Sequence, residues 1–434
     1  MKEFFLTDQN SEGISNSRLS EAVNASVSGS RKDIKRALLI VPDFTRFHSN
    51  AGRIANLYYH ALGNTVQTDL LAALGTHAAM TPDERAAMYG DIPNDRFIMH
   101  DWRGDVKRIG RVPAEFVSEV SEGLVNTAID VEVNKRLYAG YDLILSIGQV
   151  VPHEVVGMAN HSKNIFVGCG GPSMINSSHM LGAFVGLERI MGKDHSAVRK
   201  VFDYAAENFL AGLPIAYVLS VTTAPGGKTR THGVYAGTGR EWFERAVAHA
   251  QAANITFVRP LPKVVVYLDP NEFKSTWLGN KSIYRTRMAI ADGGELIVLA
   301  PGVDKFGEDN AIDSLIRKYG YAGREEIIRL VGKHEDLRGN LSAAAHLIHG
   351  SGDGRFTITY CTQHLRKDEV EGVKFQYTPY AEAAAKYAPD ALKDGFNTLA
   401  DGEEIYYISN PALGLWADKS RFYAEGSERG TARH

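Results

Sequence analysis

Residues 37–46 read ALLIVPDFTR, an apolar run that gives way after Pro42 to an acid, a hydroxyl and a guanidinium. A continuous apolar run ending in polar residues is the mark of a strand buried on both faces, as in the middle of a parallel sheet. The same design recurs in 143–153, LILSIGQVVPH, and in 263–273, KVVVYLDPNEF. Further short runs at 164–167, 215–221, 296–299 and 356–360 alternate with helical patterns. The fold class is therefore read as α/β, with mixed or parallel sheets covered by helices. In such sheets ligands bind beyond the carboxyl ends of the strands, so those polar ends are the first places to seek a site.

Working outward, 434 residues exceed what one core usually organises, and two α/β domains with an active-site cleft between them are expected. Two prolines at 260 and 262 precede a fresh strand and set the boundary there. The division is an N-terminal arm over 1–36, polar and rich in Ser and Asn; a first domain over 37–262; a second over 263–405; and a C-terminal segment over 406–434. Thr81-Pro82-Asp83-Glu84 has the form of a capping box with proline at the first helical position, which places Gly75-Thr76-His77 in the loop before a helix. Helices are also expected over 241–253 and over 281–291, the latter ended by Asp292-Gly293-Gly294.

Composition excludes several classes. Hydrophobic residues at 44% and charged residues at 23% are those of a folded globular chain, and a net charge of −3 attracts neither nucleic acid nor anionic membrane. No apolar run approaches the ~20 residues that span a bilayer, and the opening MKEFFLTDQNSEG carries acids where a signal peptide is apolar, so a cytoplasmic location is expected. Cys169 and Cys361 form no metal-type pair and read as free thiols. Small molecules are the expected partners.

The chemistry-bearing groups lie where strands end. Asp43, Thr45 and Arg46 offer an acceptor, a hydroxyl and a fork suited to carboxylate or phosphate. His77 stands near a helix start, where the local field favours a neutral imidazole. The densest stretch runs from Gly148 through His153, His161 and Lys163 to Gly168-Cys169-Gly170-Gly171 and His179. Its glycines admit a bulky ligand, and its histidines and lysine are bases, metal ligands or a covalent attachment point. Neither H-E-x-x-H nor a Cys/His quartet is present, which disfavours a zinc hydrolase. The glycines at 233, 237 and 239 match neither a dinucleotide nor a Walker pattern.

Taken in order, Asp43-x-Thr45-Arg46, Gly75-Thr76-His77, Pro152-His153, Lys163 ten residues on and His179 sixteen further resemble the lactate racemase family. A looser likeness continues through Gly233 to a helix bearing Lys281. The resemblance implies a nickel-pincer nucleotide, pyridinium-3-thioamide-5-thiocarboxylic acid mononucleotide or its non-covalent form, supplied by cofactor-synthesis enzymes. It implies His77 and His153 as the acid/base pair, Lys163 as the residue contacting or covalently holding the cofactor, and His179 as the protein ligand to nickel. Lys281 then faces the substrate carboxylate, while Asp43, Thr45 and Arg46 orient cofactor or substrate.

Two stretches depart from the family: Asn160-His161-Ser162 stands where Ser-Gly-Gly is common before the lysine, and Trp277-Leu278-Gly279-Asn280-Lys281 lacks the Gln of the lactate-type pattern. The expectation is thus a racemase or epimerase acting at C2 of a 2-hydroxy acid by reversible hydride transfer, with a sugar acid such as an aldonate favoured over lactate or malate. Arg285, Arg287, His334, His346, His349 and His364, with Asn271 and Glu272, each read singly as structural, Arg285 facing solvent and His346 and His349 capping or packing, but together they supply polar groups that such a substrate would use. The rival classes are a metal-dependent oxidoreductase or lyase, and a cofactor-binding protein without turnover.

Overall fold

The computed structural model describes residues 1–424 other than 9, 11, 225 and 226, so the last ten residues of the expected C-terminal segment lie outside it. Within it the chain forms two compact units, Met1–Ser178 with Gly192–Asn254, and His179–Met191 with Ile255–His434.

The first unit is built on seven strands: β1 (Phe4–Thr7), β2 (Arg36–Val41), β3 (Gln67–Ala72), β4 (Phe97–Met99), β5 (Leu143–Gln149), β6 (Ile215–Thr223) and β7 (Arg230–Gly237), in the order β1-β7-β6-β5-β2-β3-β4. From β6 to β4 all neighbours are parallel, while β7 runs antiparallel to both β6 and β1. Residues 37–41 of β2 are fully buried at the centre, as their unbroken apolar run requires. Each such Leu or Ile contributes about 2 kcal/mol by leaving water, enough to hold the strand between two covered faces. Because β3, β2 and β5 are adjacent and parallel, the loops after them emerge side by side.

Among the described residues the longer helices of this unit are α1 (Asn16–Ser28), α2 (Ala51–Leu62), α3 (Pro82–Tyr89), α4 (Pro172–Val185), α5 (Ala197–Phe209) and α6 (Arg240–Asn254), α4 continuing into the second. The capping box is present: Thr81 accepts from the Glu84 N–H, and the Glu84 carboxylate accepts from the Thr81 N–H. The first 36 residues are not an arm. Leu19, Val23 and Val27 recur every four residues on α1 and join the core, and β1 adds an outer strand to the sheet. Residues 164–167 are a π-helical turn, Asn164–Gly168, rather than a strand. The glycines near 233 belong to β7, an antiparallel strand and not a phosphate loop.

The second unit carries β8 (Leu261–Tyr267), β9 (Ile290–Leu299), β10 (Thr357–Thr362), β11 (Gln376–Pro379), β12 (Gly395–Thr398) and β13 (Glu404–Ile408), ordered β11-β10-β9-β8-β13-β12 and parallel except for the β12–β13 pair. The expected break at 405/406 falls inside β13. Helix α7 (Lys281–Thr286) is shorter than read, because Ile290 already enters β9 and Gly293 sits within that strand. Residues 179–191 also belong here. Met180, Ala183, Leu187 and Met191 join this unit's core, and Glu188 pairs with Arg355 at 2.6 Å and Arg287 at 3.2 Å. His179 therefore belongs to the second unit, not the first, and the boundary after 191 returns the chain to the first until Asn254. Both cysteines are buried and free. Among the described residues no helix is long and apolar enough to cross a membrane.

Candidate active site

The site of the first unit begins where β2 ends. Asp43 caps a short 3-10 turn, accepts the Thr45 N–H at 2.8 Å, and also takes the Thr45 hydroxyl. Its other oxygen lies 2.6 Å from His77 Nδ1, which the loop after β3 presents to solvent. Burial alone would raise the Asp43 carboxyl, but the hydrogen bond and charge of His77, the Thr45 hydroxyl and Arg46 outweigh it and hold the group down at about 2. The carboxylate can only accept, so His77 carries its neutral-form proton on Nδ1 and keeps the Nε2 lone pair.

His153 has the complementary arrangement. After β5 the chain makes a small hairpin, Pro152–His153 against Gly157–Met158, and the Val155 N–H donates to His153 Nδ1 at 3.1 Å. Neutral His153 therefore carries its proton on Nε2. One imidazole is set to accept through Nε2 and the other to donate through it.

The hairpin leads to Lys163. Asn160 and His161 both adopt left-handed backbone, with φ of 69° and 56°, the region that glycine enters without cost. The departure from Ser-Gly-Gly thus changes residue type while keeping a glycine-like path. Asn160 manages it by a local bond from its side chain to the His161 N–H at 2.7 Å, and Gly148 on β5 leaves the space that its amide fills. Lys163 is followed by the π-helical turn, which Asn164 ties to Ser146 of β5 at 3.0 Å. Burial first, then Arg46, pushes the Lys163 ammonium down to about 8, against the opposing charges of Glu154 and Asp43.

Sequence reading missed what holds this segment. Arg199 on α5 is fully buried and donates to Ser162 Oγ at 2.7 Å, the Met158 carbonyl at 2.7 Å and the Asn160 carbonyl at 3.2 Å. It also lies over the Phe243 ring, and Phe243 and Tyr217 enclose His161, with ring centroids 4.9 and 3.9 Å away. Burial and the charges of Arg199 and Arg240 keep His161 neutral, so its place is packing rather than catalysis. The only signal for Arg199 was its spacing among Val198, Val201 and Phe202 on an apolar helix face.

In the second unit Lys281 opens α7, its ammonium 5.7 Å from the Phe273 ring centroid. Beneath it runs a buried polar chain whose direction is fixed at one end. Thr276 Oγ1 donates to the Phe306 carbonyl at 3.0 Å, so it accepts from Tyr321 at 2.8 Å. Tyr321 then accepts from His346 Nε2 at 2.9 Å, and His346 Nδ1 accepts from Tyr284 at 2.7 Å. Tyr360 donates to Asn280, the residue before Lys281, at 2.9 Å. Burial, aided by His349, drives His346 down to about 3.

His346 and Arg287 are thereby taken up by the protein itself, Arg287 through Glu188 and Asp353, the structural place that each taken alone was expected to have. Asn271, Glu272 and His364 remain exposed beyond the ends of β8 and β10. The structure thus brings Asp43, Thr45 and His77 into direct contact and sets Arg46 and Lys163 within electrostatic reach of them, with His153 on the neighbouring loop; His179 and Lys281 belong to the other unit.

Residues 6–190 match the family described as the lactate racemase N-terminal domain. No curated protein matches the sequence significantly. Among solved structures, a protein from Thermotoga maritima superposes with a TM-score of 0.78 at 22% identity, covering 95% of this chain and 100% of that one. The lactate racemase apoprotein from Thermoanaerobacterium thermosaccharolyticum superposes with a TM-score of 0.70 at 16% identity, covering 94% of each chain. At such identities the two structures speak for the fold alone, and the sequence match makes residues 6–190 of this chain similar to the lactate racemase N-terminal domain.

Proposed function

We propose that the chain is a racemase or epimerase that inverts C2 of a 2-hydroxy acid with a nickel-pincer nucleotide. The observation that carries this reading is the pair of strand-end histidines in opposite tautomers, one braced by the buried Asp43 carboxylate. The residues fit the cofactor: Lys163 is pressed toward its neutral amine, the form able to join a carboxyl-type carbon, exposed Arg46 suits a phosphate, and His179 offers an imidazole to nickel. When bound, this group supplies a hydride acceptor and donor, so that the substrate passes through a flat 2-keto acid.

The chain's own residues handle protons and charge. His77 Nε2 takes the proton of the C2 hydroxyl, and Asp43 stabilises the imidazolium that forms. His153 Nε2–H returns a proton to the oxygen when the opposite configuration is made, and the roles exchange in the reverse direction. Lys281 balances the substrate carboxylate. Exposed Asn271, Glu272 and His364 favour a polyhydroxylated acid such as an aldonate over lactate or malate. A conventional zinc or iron enzyme is the weaker reading: among the described residues only Asp194, His195 and Glu244 cluster as metal-type ligands, and Arg240 already grips both Asp194 oxygens at 2.7 and 3.0 Å.

The test is nickel content and intact mass of protein made together with the cofactor-synthesis enzymes, followed by assay against aldonates, lactate and malate. About one nickel per chain, lost for the most part in His179→Ala, is expected because one imidazole ligand is removed. Nickel retained at full occupancy in that variant removes His179 from the ligand set, and a loaded protein that inverts none of the acids overturns the activity.

A further inference from the structure

The carboxyl ends of β2 and β3 carry Asp43 and the loop with His77; their amino ends, together with that of β4, border a cleft of about 750 Å³ at the opposite pole of the sheet. Three cations line it. Lys35 immediately precedes β2, Arg96 immediately precedes β4, and Arg31 lies on the turn leading into β2. None of the three takes part in an ion pair among the described residues, whereas arginines elsewhere, such as Arg240, Arg287 and Arg317, are held by carboxylates. The residues bordering the cleft include no Asp or Glu. Of the acids around it, Asp91 takes His60 and Asp142 takes the Lys35 and Arg36 backbone N–H groups, while Asp33 and Asp95, on the same turns as Arg31 and Arg96, are not among the bordering residues.

Two details show that the cations are placed rather than adrift. The loop between α2 and β3 turns at Gly63, with φ of 67°, and the Arg31 guanidinium packs where a side chain at 63 would stand. Arg96 Nε is shielded from solvent yet has no hydrogen-bond partner, an arrangement that normally costs stability unless a ligand supplies the acceptor. Two planar guanidinium forks and an ammonium around a polar cleft match the tetrahedral, multiply charged oxygens of phosphoryl groups.

We propose that this cleft is a second ligand site, binding a small phosphoryl compound with at least two negative charges through Arg31, Lys35 and Arg96. It lies at the far end of the strands from His77 and Asp43, so such a ligand does not compete with the 2-hydroxy acid.

The test is calorimetric titration of the cofactor-loaded enzyme, at constant ionic strength, with inorganic pyrophosphate, ADP and a sugar bisphosphate, the three arms separating a bare phosphoryl group, a nucleotide and a phosphorylated metabolite as the source. Saturable binding of at least one is expected, weakened tenfold or more by Arg31→Gln or Arg96→Gln and unchanged in Arg366→Gln, an exposed arginine of the second unit. In the unaltered protein the same ligand is expected to shield Lys35 from acetylation, a readout that needs no variant. Absence of saturable binding in all three arms, binding insensitive to both substitutions, or undiminished acetylation of Lys35 at saturation overturns the proposal.

Discussion

The two units treat their histidines in opposite ways. In the first, Asp43 fixes His77 through one nitrogen and leaves the other able to accept, while Lys163 is held part-way to its neutral form. In the second, the chain from Tyr284 through His346 and Tyr321 to Thr276 closes on a backbone carbonyl, with both imidazole nitrogens used. The first arrangement stores reactivity; the second stores rigidity and presents Lys281 on a fixed base. Histidine count alone would not separate them, since what differs is whether each nitrogen's bonding capacity is consumed.

The largest effect expected from breaking this contrast is on turnover. His77→Ala and His153→Ala are each expected to slow kcat by roughly a hundredfold or more, the usual scale for lost general acid/base assistance, with nickel content unchanged. Asp43→Asn is expected to fall between these variants and the parent, because the amide no longer fixes the proton on His77 Nδ1. Full activity in Asp43→Asn would show that the tautomer does not matter.

Next in size is the reactivity of Lys163. With its ammonium held at about 8, the amine of cofactor-free protein is expected to acylate with a midpoint near that pH, below ordinary lysines, whose value is about 10.4. Peptide mass spectrometry across a pH series measures it. The folded value lies below the unfolded one, so burial of this ammonium opposes folding and that cost is relieved as pH rises through 8 and beyond. A midpoint indistinguishable from surface lysines contradicts the electrostatic picture of the site.

The smallest effect sharpens the other half of the comparison. His346→Phe leaves the Tyr284 and Tyr321 hydroxyls without their buried partner and is expected to cost about 1–3 kcal/mol in denaturant unfolding, with KM for the hydroxy acid altered far more than kcat is by the loss. His346 in the folded chain sits at about 3, below the unfolded value, so its contribution is fully present above about pH 6.5 and lost as pH falls toward 3. The variant is expected to lose that part of the acid sensitivity.

Much of the site was legible because strand ends in α/β sheets are chemically conspicuous: ALLIVP followed by Asp43, and LILSIG followed by His153, announce both the strand and the group it delivers. The capping box at Thr81 was legible for a similar reason, each residue having one local task. Residues 164–167 were not, since four buried apolar residues satisfy a strand and a buried helical turn equally. Arg199 escaped because a charge on a helix normally marks a solvated face, and its three acceptors are hydroxyl and carbonyl oxygens that sequence does not display. The transfer of His179 to the second unit depended on Glu188 meeting Arg287 and Arg355, partners roughly a hundred or more residues away.

In the proposed reaction the histidines move the hydroxyl proton while hydrogen leaves C2 as hydride. It is tested most directly by letting the loaded enzyme epimerise a C2-deuterated 2-hydroxy acid in ordinary water and weighing the product at early conversion. The inverted product is expected to keep its deuterium, because the hydride returns to the same carbon without meeting solvent. Extensive washout of the label would contradict it, placing a histidine on the C2–H bond as a conventional proton-transfer base.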